Sequence, residues 1–129
     1  MIIEYQQLKI IERIIMNEQG IIAKKYFEAF HEGKLDEVFK YVAEDGIVKY
    51  STEAERSAKD FFPETKDMIL QIKFETHGIY TSENATNVLI HFSYTMPSED
   101  GTPKTVEAVD IVEFNDENKI KKITVIPNG

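Results

Sequence analysis

Residues 105–114, TVEAVDIVEF, decide how the rest of the chain is read. Val106, Ala108, Val112 and Phe114 fall on every second position and share one face of a strand, with Asp110 in the middle of the row. Val109 and Ile111 occupy the opposite face, so the strand is apolar on both sides at its centre and reads as a central one. An ionised carboxylate loses its hydration in such a row, and burial without a partner favours the protonated form. Asp110 is therefore expected either to be paired or to titrate abnormally.

The preceding run, Asn87 to Met96, places Val88, Ile90, Phe92 and Tyr94 on one face. The turn between the two strands decides which faces coincide. A two-residue Asp100-Gly101 turn pairs Asp110 with His91. A three-residue turn with Gly101 left-handed pairs it with Ile90. Only the second keeps the two apolar rows together, and a one-residue slip would turn a whole strand inside out. Asp110 is thus expected to point into a concave interior, leaving Leu89, Val109 and Ile111 as an apolar strip on the outer face. That strip suits a homodimer through the outer sheet face.

Ile120 to Ile126 reads as a closing strand after a turn at Asn115 to Asn118. Upstream, Leu70, Ile72, Phe74, Thr76 and Tyr80 alternate with Gln71, Lys73, Glu75 and His77, giving a further strand. Four consecutive strands joined by short turns make an antiparallel meander. Before them come helical patterns. Residues 2–16 form an amphipathic extension carrying Ile3, Leu8, Ile10, Ile11, Ile14 and Ile15. A helix from Asn17 to Gly33 shows Ile22, Tyr26, Ala29 and Phe30 on one face, with Phe27 at its margin. A short helix spans Leu35 to Ala43, a short strand Ile47 to Ser51, and a third helix follows Ser57, with Pro63 in its first or second turn. Thr52 to Arg56 reads as loop. Helices gathered at one end of the chain and packed on one side of an antiparallel sheet give an α+β fold, with residues 17–129 as one domain.

Composition narrows the function. Fifteen basic residues against 23 acidic ones give a formal net charge of -8, which speaks against a nucleic-acid backbone or an anionic membrane as partner. The absence of cysteine excludes disulfides and thiolate chemistry and suits a cytoplasmic setting. The opening MIIEYQQLKIIERII carries Glu4, Glu12 and Arg13 among its isoleucines and does not read as a signal peptide. His31, His77 and His91 lack metal-ligand spacing, so neither metal nor cofactor is expected; His31, beside Gly33, reads as a helix-end residue.

Two stretches carry a family resemblance. KKYFEAFHEGKLDEVFKYVAEDGIVKY, residues 24–50, resembles the opening of the nuclear transport factor 2-like superfamily, which includes ketosteroid isomerases and SnoaL-like polyketide cyclases. VDIVEFNDENKIKKITV, residues 109–125, resembles its closing hairpin. The resemblance implies a cone, a curved sheet wrapped around three helices, with a pocket between them. It places Tyr26 and Asp110 where ketosteroid isomerases carry the two hydrogen-bond donors to a developing enolate oxygen. It places Tyr50 where they carry the aspartate base, and a phenol is a poor base at neutral pH. Glu53 and Glu55 lie on the loop that follows.

The aromatic set Phe30, Phe61, Phe62, Phe74, Phe92 and Tyr94 supplies core or pocket wall, with Tyr50 beside it. Two functional readings stand at this point. One is a SnoaL-like protein whose apolar pocket takes a small carbonyl- or hydroxyl-bearing molecule, with isomerase, cyclase or lyase chemistry through Tyr26 and Asp110. The other is a non-catalytic dimerisation or interaction module whose cone is filled by its own side chains.

Overall fold

The computed structural model describes residues 18–83 and 86–128; the expected helix over residues 2–16 lies outside them. In chain order the described elements are α1 (Glu18–His31), α2 (Leu35–Tyr41), β1 (Val42–Tyr50), β2 (Arg56–Ser57), α3 (Ala58–Ile69), β3 (Lys73–Thr81), β4 (Asn87–Met96), β5 (Lys104–Phe114) and β6 (Ile120–Pro127). The strands form one curved, unclosed sheet in the order β2-β1-β6-β5-β4-β3.

β3 to β6 make the expected meander, and Ile90 lies opposite Asp110 as the consistent register requires. Gly101 takes φ +82° and donates its N–H to the Ser98 carbonyl at 3.0 Å, closing the turn that fixes that register. Val88, Ile90, Phe92, Val106, Ala108 and Val112 are all buried on the inner face. β1 departs from a purely antiparallel sheet. It pairs parallel with β6, Val48 opposite Ile123 and Tyr50 opposite Val125, so the first described strand docks against the last.

Local differences from the sequence reading have identifiable causes. α2 stops at Tyr41 because Val42 turns into the sheet opposite Ile120, and β1 passes Asp45-Gly46 through an irregularity instead of breaking there. Arg56 and Ser57, read as loop and cap, form a two-residue edge strand on β1. β3 starts at Lys73, while Leu70 closes α3 through a bond from its N–H to the Lys66 carbonyl. A bulge between Thr76 and Gly78 then inverts the alternation. Ile79 packs against the core, and Tyr80, expected on the inner face with Phe74, is 59 % exposed.

α1 packs on β3 and β4, and α3 on β1, all on the concave side. Tyr26 and Phe27 are both fully buried, so Phe27 lies in the centre of the stripe and not at its margin. The end of α1 is tied by bonds from Lys34 N–H to the Ala29 carbonyl at 2.9 Å and from Gly33 N–H to the Phe30 carbonyl at 3.1 Å, a Schellman arrangement with Gly33 at φ +69°. Ser57 caps α3 by accepting from Asp60 N–H at 3.2 Å, and the helix runs through Pro63 without restarting. No described helix is long and apolar enough to cross a membrane.

The left-handed backbone at Gly33 and Gly101 gives a stability test. Gly33→Ala and Gly101→Ala are each expected to cost about 1 kcal/mol in urea unfolding. A methyl at Gly33 would meet the Leu70 side chain at 2.9 Å, but Leu70 is 52 % exposed and can turn into solvent. A Gly33 cost more than twice that of Gly101 would show that Leu70 is held in place.

Candidate functional site

The inner sheet face, α1 and α3 enclose a cavity of about 330 Å³. Asp110, Tyr26, Phe30, Tyr50, Phe61, Phe74 and Tyr94 line it together. Phe62 and Phe92, expected in the wall, lie in the core instead. Phe62 is 1 % exposed and packs edge-on against Tyr26, Phe30 and Phe61. Phe92 is 3 % exposed, with its ring 4.8 Å from that of Phe27. A period of two puts a side chain on the concave face but does not say whether it meets another side chain there or open space.

Asp110 sits between Ile90 on β4 and Val125 on β6. It is 3 % exposed, and its Oδ1 has no hydrogen-bond partner among the described residues. Burial alone pushes its carboxyl up from 3.8 to about 8. The group therefore keeps its proton at neutral pH and can donate a hydrogen bond. Tyr26, fully buried on α1, has its hydroxyl held well above the ordinary phenol value, by burial first and then by the Asp110 charge. No hydrogen bond joins the two among the described residues, so Asp110 is not sequestered by Tyr26.

Further along the wall the Tyr50 and Tyr94 hydroxyls meet at 3.3 Å, and burial followed by this bond raises the Tyr94 phenol. Glu53, Arg56 and Met68 also line the cavity and reach solvent, so it opens on that side. The Arg56 guanidinium lies 5.5 Å from the centre of the Phe61 ring and pairs with Glu64. Glu55 is bound to Lys122 at 2.9 Å. Thr65, Met68 and Met96 complete parts of the wall that the sequence did not single out. The spacing of Phe61, Thr65 and Met68 along α3, at three and four residues, was the available signal for one helix face.

The histidines lie elsewhere. His31 is not a dipole-stabilising cation. Its ring stacks on Phe74 at 3.9 Å and meets Phe27 edge-on at 3.9 Å, and burial lowers it to about 4. His77 and His91 are neighbours on the outer face, rings 4.9 Å apart, with His77 Nε2 at 3.0 Å from Ser93 Oγ. Glu107 lies 3.7 Å from His91 Nε2, a carboxylate neighbour the sequence reading did not place. Among the described residues no three potential metal ligands come together.

The raised Asp110 value makes a pH prediction. Between 3.8 and about 8 the folded protein holds a proton that the unfolded chain releases, so stability falls as pH rises through that window. The lost stability at pH 7 is about 4 kcal/mol, at about 1.4 kcal/mol per pH unit. His31 acts in the opposite sense. Its folded value is below its ordinary 6.5, so stability falls as pH drops from 6.5 towards about 4. The His31 contribution cancels in the difference between wild type and Asp110→Asn. That difference, measured by urea unfolding from pH 4 to pH 9, is expected to move in favour of Asp110→Asn up to about pH 8 and then level off. A flat difference would mean that Asp110 ionises normally.

Comparison with known proteins places this arrangement. The sequence profile of the SnoaL-like domain matches residues 23–123. SalBIII, an epoxide hydrolase/cyclase-like enzyme with a role in pyran ring formation in the polyether salinomycin, superposes with a TM-score of 0.74 at 17% identity, covering 87% of this chain and 92% of its own. A candidate polyketide cyclase from Silicibacter sp. TM1040 gives 0.71 at 17% identity, with 88% and 90% covered. A nuclear transport factor 2-like protein of unknown function from Exiguobacterium sp. 255-15 gives 0.67 at 20% identity, with 83% and 98% covered. At these identities the superpositions speak for the fold alone. No curated protein matches the sequence. The profile match spans most of the chain, and the protein belongs to the SnoaL-like domain family of the nuclear transport factor 2-like superfamily.

Proposed function

We propose that the protein binds a small, largely apolar molecule bearing a carbonyl or hydroxyl oxygen, held in the cavity with that oxygen at Asp110. The observation that carries this reading is the buried Asp110 carboxyl on the wall of a largely apolar and aromatic cavity of about 330 Å³, with an Oδ1 that no described residue satisfies. A neutral carboxyl offers one donor and spare acceptor capacity, and leaving it unmatched costs about 1–3 kcal/mol that a ligand oxygen would recover. Tyr26 is the second donor on the same wall. The volume lies at the small end of ligand pockets and suits two or three fused or linked rings. Cyclases among the structural neighbours agree with a reaction on such an oxygen, an isomerisation, cyclisation or elimination.

The test compares 4-phenylcyclohexanone with phenylcyclohexane, which differ only in the oxygen. The wild type is expected to bind the ketone about ten-fold more tightly, one hydrogen bond's worth. Asp110→Leu should bind both alike, because the cavity keeps its apolar wall and loses its donor. Equal binding by the wild type would refute the assignment of Asp110 as the oxygen site.

A second role is supported by the outer face. Leu89 is 36 % and Ile126 48 % exposed, and Val109 and Ile111 lie between them on adjacent strands. This strip supports the homodimer expected from the sequence. The wild type should sediment as a dimer at micromolar concentration, and Leu89→Lys with Ile126→Lys should give a folded monomer. A wild-type monomer at high micromolar concentration would refute the dimer and leave the cavity assignment untouched.

A further inference from the structure

We propose that Glu53 is the proton acceptor of the cavity, taking a proton from the carbon beside a carbonyl whose oxygen is held at Asp110. This rests on the ligand reading above and adds a catalytic residue to it.

The backbone brings Glu53 to the site. β1 ends at Tyr50, and Ser51 adopts φ +53°, a left-handed conformation uncommon outside glycine. Two bonds hold the turn there: Ser51 N–H to the Val125 carbonyl at 2.8 Å, and Glu53 N–H to the Tyr50 carbonyl at 2.9 Å. Tyr50 and Val125 both line the cavity, so the turn is fastened to its wall, and Glu53 is carried back over the open side. Strained backbone of this kind persists where the surroundings over-determine it.

The neighbouring carboxylates are already engaged. Glu55 pairs with Lys122, Glu64 with Arg56 and Glu44 with Lys59. The Glu53 carboxylate has no ion pair and no hydrogen bond among the described residues, although Arg56 lines the same cavity. One cavity thus holds two carboxyl groups in opposite settings. Asp110 is enclosed among apolar neighbours; Glu53 lies exposed at the open side. Such a pair divides acid and base roles between two groups of the same type. Tyr50 occupies the wall beside Glu53 and is a phenol, so the acceptor role falls to the carboxylate.

The step balances without a co-reactant. The α-carbon–hydrogen bond breaks, and its proton passes to a Glu53 oxygen. The electron pair moves into the carbonyl, giving an enolate oxygen that accepts the Asp110 hydrogen bond. Return of the proton to the same carbon regenerates the ketone, and return to a conjugated carbon isomerises an unsaturated one.

In deuterium oxide the returning atom is deuterium, so α-hydrogen loss from 4-phenylcyclohexanone, followed by proton NMR, reads the step directly. Binding is followed in the same samples by saturation transfer. The wild type is expected to exchange the α-hydrogens at least about 100-fold faster than buffer, within the usual range for general-base catalysis. Glu53→Gln should bind the ketone as the wild type does and exchange at the buffer rate. Glu55→Gln should keep the wild-type rate. Binding with no exchange above buffer, or exchange that survives Glu53→Gln, would overturn the role of Glu53 and leave the ligand assignment standing. No binding to the wild type would remove the ligand assignment and this inference with it.

Discussion

A carboxyl group in the inner row of a sheet, with apolar neighbours on both flanking strands, governs the character of this molecule. Asp110 lies opposite Ile90 on one side and Val125 on the other, and no described residue near it carries a compensating charge. Its proton is retained by desolvation alone. A neighbouring arginine or lysine would have reversed the effect and produced a buried ion pair, an acceptor without a proton to give. Among the described residues no such partner stands on the cavity side, and Asp110 keeps the proton that the proposed ligand oxygen would accept.

That outcome depends on the β4–β5 register, the part of the fold most legible in the sequence. Both strands alternate cleanly, and only one pairing keeps their apolar rows together, so the turn geometry and burial of Asp110 followed from a few residues. Gly101 at a left-handed φ is the local device and the matched rows are the global one; the two agree. The helical stripe through Tyr26 was equally readable, and the two ends of the resemblance, residues 24–50 and 109–125, are the segments that bring Tyr26 and Asp110 to one cavity.

The rest was hidden for physical reasons. Parallel pairing of β1 with β6 joins the first strand to the last, and no local period encodes a partner some seventy-five residues away; consecutive strands suggest only antiparallel neighbours. The β3 bulge that turns Tyr80 outward did leave a trace, since Gly78 interrupts the alternating row between Thr76 and Tyr80. Arg56 belongs to a two-residue strand too short to show any period, yet that strand sets it over Phe61 at the open side of the cavity. Depth was invisible as well: Phe74 and Phe92 read alike as inner-face aromatics, and only their three-dimensional neighbours separate the one on the wall from the one in the core.

The division of the aromatic residues bears on the choice between an open and a filled cone. Phe27, Phe62 and Phe92 are almost wholly inaccessible, Phe27 packed on Phe92 and Phe62 on Tyr26, Phe30 and Phe61. Tyr26, Phe30, Phe61, Phe74 and Tyr94 border about 330 Å³ that no described side chain fills. Leaving such a volume unpacked forfeits dispersion contacts that a filled interior would make. Larger side chains at Val48, Thr65 or Val125, all on the wall, would recover many of them. Asp110 adds a further cost at the same place, since a leucine there would stabilise the sheet. An unfilled volume and an unpaired acid meet on one wall, and both favour the proposed ligand site over a cone that serves only as a scaffold for its outer surface.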